Sequence, residues 1–276
     1  MANPQSNTDQ QAFWNGDAGK KWVSAQERLD LMLANVSETL WTAAKITPAD
    51  RVLDIGCGCG DTSIAIARTG AQVTGIDISA PMLTHARTRA SNIEFVEADA
   101  STFSFQPQYS LLFSRFGVMF FANPDEAFAN LRRALIPGGR VAFACWQDFR
   151  ENEWVRVPLA AARPLLPPQP QMGPEDPGPF SFADLARVRR ILSNAGFDEI
   201  TAIPVSLQIQ LGDTLEGAIT HLQEIGPVSR MLTDATPDQR QKVLAAIREV
   251  VTPFGKKLPL SMGAAIWIVT AKSPVT

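Results

Sequence analysis

The segment VLDIGCGCGD at 52–61 puts Gly56, Gly58 and Gly60 on alternate positions after an apolar run containing Asp54, with Asp61 directly behind them. Glycine lets the backbone adopt left-handed angles and approach a ligand closely, which suits the strand ends where open parallel sheets bind small molecules. Two further acids close short apolar runs, Asp77 in GIDIS and Asp99 in VEADA. A carboxylate roughly 20 residues beyond such a loop is placed to accept hydrogen bonds from ribose hydroxyls. The loop reads G-x-G-x-G, whereas a dinucleotide fingerprint reads G-x-G-x-x-G. Acids at three adjacent strand ends would repel a pyrophosphate, so the pattern points to a nucleoside that carries positive charge.

Other chemistry-bearing residues are sparse. Cys57 and Cys59 stand one residue apart with no neighbouring His or further Cys, which does not assemble four zinc ligands, so no metal is expected and the thiols read as small loop fillers. His85 falls among polar neighbours in PMLTHARTRA and reads as a solvated helix position. His221, in EGAITHLQEIGPVSRML, is the candidate general base for an acidic hydroxyl or amine proton, although packing in or on a helix is the weightier reading. Arg115, at the end of the apolar run SLLFSRF, needs an anionic or carbonyl partner, either structural or on a substrate. Phe116, Phe120, Phe121, Trp146 and Trp154 are candidates for an apolar acceptor pocket, with ordinary core packing as the alternative.

The elements that must position these residues follow from periodicity. Leu29, Leu33, Val36, Leu40 and Trp41 carry helical spacing across Gln26 to Ala44. From Arg51 the chain alternates RVLDIG, TSIAIAR, AQVTGID, PMLTHARTRA and IEFVEAD, a beta-alpha-beta-alpha-beta order, and SLLFSRF and GRVAFACW flank the helical DEAFANLRRAL, expected to stop at Pro137-Gly138-Gly139. Short apolar runs joined by helices predict a doubly wound α/β sheet covered on both faces. Eight prolines between Pro158 and Pro179 predict a crossing loop with no regular helix. A helix over FADLARVRRILSNAGF, a strand over DEITAIPVSLQIQ, two helical segments at about 214–250 and a final strand AAIWIVTAK complete the order. The expected organisation is an N-terminal helical cap (1–49), a cofactor-binding core (50–147), the proline-rich loop (148–181) and the remaining sheet (182–276), whose helical insertion covers the ligand edge as a lid.

Composition narrows the function. A chain of 276 residues with 45% hydrophobic and 19% charged residues is ordinary globular protein, and 25 Lys+Arg against 28 Asp+Glu leaves no basic excess to hold nucleic acid. The polar N-terminus lacks a signal peptide's apolar region and no apolar stretch is long enough for a membrane span, so a cytoplasmic location is expected.

S-adenosylmethionine, with a sulfonium and an ammonium against one carboxylate, has the charge character that the acids require. VLDIGCGCG, GIDIS followed by APMLTHAR, VEADA and SRFGVMFFANPDEAFANLRRALIPGGRVAFACW resemble class I S-adenosylmethionine-dependent methyltransferases, in particular the bacterial branch similar to the ubiquinone/menaquinone-biosynthesis enzymes. The resemblance implies a seven-stranded sheet of order 3-2-1-4-5-7-6 with the last strand antiparallel. It implies that Asp54, Gly56, Cys57 and Gly58 hold the methionine part, that Asp77 holds the ribose, that Ile78 and Met82 flank the adenine, and that Asp99 and Ala100 meet its polar edge. Ser114 and Arg115 are then expected to border the methyl group, and the segment around Trp22 to close over the cofactor. Tyr109-Ser110 replaces the Phe-Asp pair that opens the fourth strand in many relatives, a position read as structural. The implied activity is methyl transfer to a small, apolar or aromatic metabolite, with alignment supplying most of the catalysis. A non-catalytic or regulatory protein that binds the same cofactor is the alternative, and a nicotinamide-dependent dehydrogenase is disfavoured by the loop spacing.

Overall fold

The structure, a computed structural model, describes residues 7–168 and 173–275. Four helices come first: α1 (Thr8–Asn15), α2 (Asp17–Ser24), α3 (Gln26–Met32) and α4 (Ala34–Ala44). The single helix expected over Gln26 to Ala44 is thus two pieces meeting at Leu33, yet Leu33 N–H still reaches the Leu29 carbonyl and Ser37 N–H the Leu33 carbonyl. The apolar stripe therefore bends without ending, and Leu29, Val36 and Leu40 stay buried against the sheet.

The core then alternates β1 (Arg51–Ile55), α5 (Asp61–Arg68), β2 (Gln72–Asp77), α6 (Ala80–Arg89), β3 (Glu94–Glu97), β4 (Tyr109–Arg115), α7 (Pro124–Arg132) and β5 (Leu135–Trp146). It continues through α8 (Glu153–Ala162), α9 (Leu185–Asn194), β6 (Asp198–Gly212), α10 (Leu215–Glu224), α11 (Gly226–Met231), α12 (Pro237–Val251) and β7 (Leu260–Lys272). The strands form one seven-stranded sheet of order β3-β2-β1-β4-β5-β7-β6. β7 runs antiparallel to both neighbours, and the pairs from β3 to β5 are parallel, as expected. The central strands are apolar on both faces because helices cover both: Leu111, Leu112, Phe113, Phe143 and Ala144 are fully buried.

Three local expectations are corrected. α7 ends at Arg132, before Pro137-Gly138-Gly139, because the Arg133 and Ala134 N–H groups tighten onto the Asn130 and Leu131 carbonyls. The Pro-Gly-Gly run belongs to β5 instead, where the pairing with β4 shifts from Tyr109↔Leu135 to Leu111↔Arg140 and the extra residues are absorbed as a bulge. The proline-rich stretch also starts within regular helix: Pro158 lies inside α8. An interior proline costs about 3 kcal/mol, and here Trp154, Val155, Leu159 and Ala162 bury one face of α8 around it. Pro170 lies outside the described residues. Finally, the segment at 214–250 is three helices, of which α12 opens on a Thr236/Gln239 capping box.

Candidate functional site

At the carboxyl ends of β1, β2 and β4 lies a cleft whose empty space, counted out into open solvent, is about 960 Å³. Its floor is the glycine loop. Gly56, Gly58 and Gly60 all hold positive φ, at 66°, 55° and 82°. A Cβ at Gly56 would stand 2.7 Å from Gly117 Cα, and one at Gly58 would stand 2.7 Å from Met82 Cε. The loop is pinned from the next strand, since the Gly56 and Cys57 N–H groups donate to the Ile76 carbonyl at 2.8 and 3.2 Å.

Asp77 ends β2 on the cleft wall. One carboxylate oxygen accepts the Gly58 N–H at 2.8 Å and the other the Ser79 N–H at 2.9 Å. Each oxygen keeps a second lone pair for a ligand hydroxyl. Burial pushes the Asp77 pKa up, against these backbone hydrogen bonds. Asp99 also lines the cleft and accepts from Asn7 Nδ2 at 2.7 Å and Ser101 N–H at 2.8 Å. Ile78, Met82, Ala98, Ala100, Phe120 and Phe121 add apolar lining to the same cleft.

The cleft is also lined by Trp22, Gln26, Leu33, Asp61, Thr62, Arg115 and Phe116. Arg115 donates to Asp61 at 2.9 Å and to the Ser37 hydroxyl at 2.6 Å, so its partner within the chain is structural. Phe116 adopts φ 70°, a left-handed conformation costly for a side-chain-bearing residue. That turn stacks its ring on Trp146, with centroids 4.2 Å apart and planes at 11°.

Residues 52–139 match the family described as a methyltransferase domain. Over 207 residues the chain is 30% identical to the uncharacterised protein Rv1405c of Mycobacterium tuberculosis, a match covering 69% of this chain and 74% of that one. Over 175 residues it is 30% identical to trans-aconitate 2-methyltransferase of Paracidovorax citrulli, a match covering 62% of each, so it spans less than two thirds of that relative. The chain belongs to the class I S-adenosylmethionine-dependent methyltransferases. Among solved structures, phosphoethanolamine N-methyltransferase 2 of Haemonchus contortus in complex with S-adenosylmethionine is similar in fold, with a TM-score of 0.58 at 16% identity over 99% of this chain and 60% of that one.

The residues present fit the methyltransferase family's cofactor. The glycine floor has no room for a Cβ at Gly56 or Gly58, apolar side chains line the cleft beside Asp99, and the acids suit a cationic sulfonium. Of the expected cofactor residues, Trp22, Gly56, Cys57, Gly58, Asp77, Ile78, Met82, Asp99, Ala100 and Arg115 line the cleft. So do Phe116 and Phe120 from the acceptor set.

Five expected residues lie elsewhere, each for a definite reason. Asp54 is buried beneath the loop, where one oxygen accepts the Thr62 and Ser63 hydroxyls at 2.6 Å each and ties the start of α5 to β1. Burial drives its pKa up to about 6, with the two hydroxyls opposing. Ser114 is buried and braces the turn, donating to the Ile55 carbonyl at 2.8 Å and accepting the Gly117 N–H at 3.1 Å. Trp146 and Trp154 stand behind Phe116 as a buried pair, their centroids 5.2 Å apart and their planes tilted by 48°, so they support the wall without forming it. His221 is buried in α10 and is not among the residues lining the cleft, with Arg28 and Glu224 as its charged neighbours.

Several cleft residues had no strong sequence signal. Trp14 packs edge-on to Trp22 and Phe120, with centroids at 5.6 and 5.3 Å, and Asn7 reaches both Asp99 and the Ala122 N–H. Both sit in a polar stretch whose only hint is the Phe13-Trp14 pair. Ser110 at the departure from the family pattern bonds to Asp50 at 2.6 Å, outside the cleft. Among the described residues no group of His, Cys, Asp and Glu could hold a metal ion, and no helix is long and apolar enough to cross a membrane.

Proposed function

We propose that this chain transfers a methyl group from S-adenosylmethionine to a small, apolar or aromatic acceptor that enters beside Phe116. The observation that carries this reading is the pairing, in one cleft, of a side-chain-free glycine floor with Asp77 and Asp99 at successive strand ends. Asp77 would hold the ribose, Asp99 and Ala100 the adenine edge, Ile78 and Met82 its faces, and the loop from Gly56 to Gly58 the amino-acid part. Bound there, the cofactor supplies a methyl group on a positively charged sulfur, already activated for in-line displacement. The protein's share is alignment and exclusion of water, which for well-oriented groups can supply about 7–11 kcal/mol.

An apolar acceptor is supported by the ring of Phe116, the side chains of Trp22 and Leu33, and the tilted Trp146–Trp154 pair behind Phe116. The matched Paracidovorax protein is named for trans-aconitate, and Arg115 is a cation on this chain's cleft wall. Its charge is already matched by Asp61 at 2.9 Å, which weakens any pull on an anionic acceptor. No histidine lines the cleft among the described residues, consistent with alignment in place of a general base. The test is transfer of radiolabel from methyl-tritiated S-adenosylmethionine into the small-molecule fraction of a bacterial extract. Label in an organic-extractable product supports the proposal. Tight binding of S-adenosylhomocysteine with no labelled product from any fraction supports the non-catalytic alternative.

A further inference from the structure

Among the aromatic side chains that line the cleft, Phe116 is held differently from the rest. Its backbone sits at φ 70° and ψ −6°, a left-handed conformation that glycine adopts freely and a residue with a Cβ only at a cost. Three contacts fix the turn. Phe116 N–H donates to the Ala144 carbonyl at 3.1 Å, and Ser114 Oγ donates to the Ile55 carbonyl at 2.8 Å. Gly117 lies so close to the glycine loop that a Cβ there would stand 2.8 Å from Gly56 Cα. A ring is therefore kept where the backbone alone favours glycine, at a fixed place beside the loop.

Ring geometry says what that place can do. Trp14 meets Trp22 and Phe120 edge-on, with planes at 78° and 86°. Phe116 instead lies parallel to Trp146, with planes at 11° and centroids 4.2 Å apart. Trp146 takes one face of the Phe116 ring and does not itself line the cleft, so the surface that Phe116 gives the cleft is what Trp146 leaves uncovered. Trp154 backs Trp146, and its Nε1 donates at 3.2 Å to Oδ1 of the fully buried Asn152. A ring so supported is a rigid platform, and parallel offset rings are a favoured way to add a further aromatic plane. Resting on the reading of the cleft as a methyl-transfer site, we infer that Phe116 selects a planar aromatic acceptor over a saturated one of the same size, by packing its ring against the acceptor's. A hydroxyl on an aromatic ring has a pKa of about 10, as in tyrosine, which suits a cleft lined by no histidine among the described residues. The rival occupant is the cofactor's sulfonium, drawn to the ring as a cation.

The test titrates protein saturated with S-adenosylhomocysteine with 4-ethylphenol and with 4-ethylcyclohexanol, followed by ligand-detected NMR. The two probes share carbon skeleton and hydroxyl and differ in ring planarity. Wild type should bind the phenol about 3- to 10-fold more tightly, the scale of an aromatic pair beyond its buried area. That preference should disappear in Phe116→Leu and Phe116→Met, which stay apolar without a ring, and persist in Phe116→Tyr. S-adenosylhomocysteine affinity within about twofold of wild type shows that each variant is folded and keeps its cofactor site. Equal affinity for the two probes in wild type, binding of neither, or a preference that survives in either ring-free variant overturns the inference. So does a ring-free variant that loses affinity for S-adenosylmethionine but not for S-adenosylhomocysteine while its probe preference is intact, because the ring then serves the sulfonium. Wild-type protein that does not bind S-adenosylhomocysteine refutes the underlying cofactor reading instead.

Discussion

His221→Leu should remove a specific part of the protein's acid sensitivity. The imidazole lies in α10 at 1% exposure, its Nε2 lacks a partner among the described residues, and its pKa falls to about 4 through burial first and the nearby Arg28 charge second, with Glu224 opposing. In the unfolded chain the same group titrates near 6.5. Between these values the unfolded state binds one more proton than the folded state, so the stability present above pH 6.5 is lost as the pH falls toward 4. Each pH unit is worth about 1.36 kcal/mol once the unfolded histidine is fully protonated, which gives a loss of about 2 kcal/mol between pH 7 and pH 5. Other carboxylates titrate in the same window, Asp30 and Asp54 among them, both raised to about 6 chiefly by burial. The comparison is therefore a double difference: denaturant unfolding of wild type and His221→Leu, each at pH 7 and pH 5. The wild type should lose about 2 kcal/mol more than the variant over that interval. Equal losses would show that the imidazole is solvated or ionised in the folded state and would refute the reasoning. The same variant bears on chemistry, because a histidine held neutral to about pH 4 and not among the residues lining the cleft is poorly suited to act as a general base. Turnover should change little, and a drop of about 10²- to 10⁴-fold with normal cofactor affinity would return His221 to the reaction.

Gly56→Ala should weaken S-adenosylhomocysteine binding and destabilise the fold by roughly 1–3 kcal/mol, because its Cβ would strike the Gly117 backbone at 2.7 Å from a residue at φ 66°; an unaltered melting temperature and affinity would contradict the role given to the loop. Asp77→Ala should cost about 1.5–3 kcal/mol in binding of the same ligand, and calorimetry showing wild-type affinity would remove Asp77 from the ribose role. Asp50 is held well below the usual carboxylate range: burial pushes it up, but hydrogen bonds from Arg140, Ser110 and Thr47 and the Arg140 charge outweigh this. Its contribution is present above the unfolded pKa of about 3.9 and is lost as the pH falls toward the folded value, so the stability gap between wild type and Asp50→Asn should shrink on acidification below pH 4, and a constant gap would sink the assignment.

The legibility of this chain in its sequence follows physical lines. The alternation of strands and helices and the cleft floor were readable because both-face burial leaves continuous apolar runs and because positive φ demands glycine, signals confined to a few adjacent residues; the spatial order of the strands came from the family resemblance alone. Asp54 shows what sequence leaves open, because an acid next to a glycine loop looks the same whether it faces a ligand or ties a helix from beneath; in the structure one oxygen is taken by the Thr62 and Ser63 hydroxyls and the other has no partner among the described residues. Trp146 and Trp154 were placed one layer too far forward, since aromatic residues after a strand carry no mark of which layer they fill. The helix through Pro158 was missed because burial of one face of α8 outweighed a local penalty. Asn7, Trp14 and Gln26 reach the cleft through contacts spanning large sequence separations, and neither periodicity nor spacing registers these.

Calorimetric titration of the wild-type protein with S-adenosylhomocysteine and, separately, with NAD bears on the cofactor assignment without requiring the acceptor. The arrangement of Gly56, Gly58, Asp77 and Asp99 predicts saturable one-to-one binding of S-adenosylhomocysteine and no detectable heat from NAD. Binding of NAD, or the absence of binding by S-adenosylhomocysteine, would contradict it.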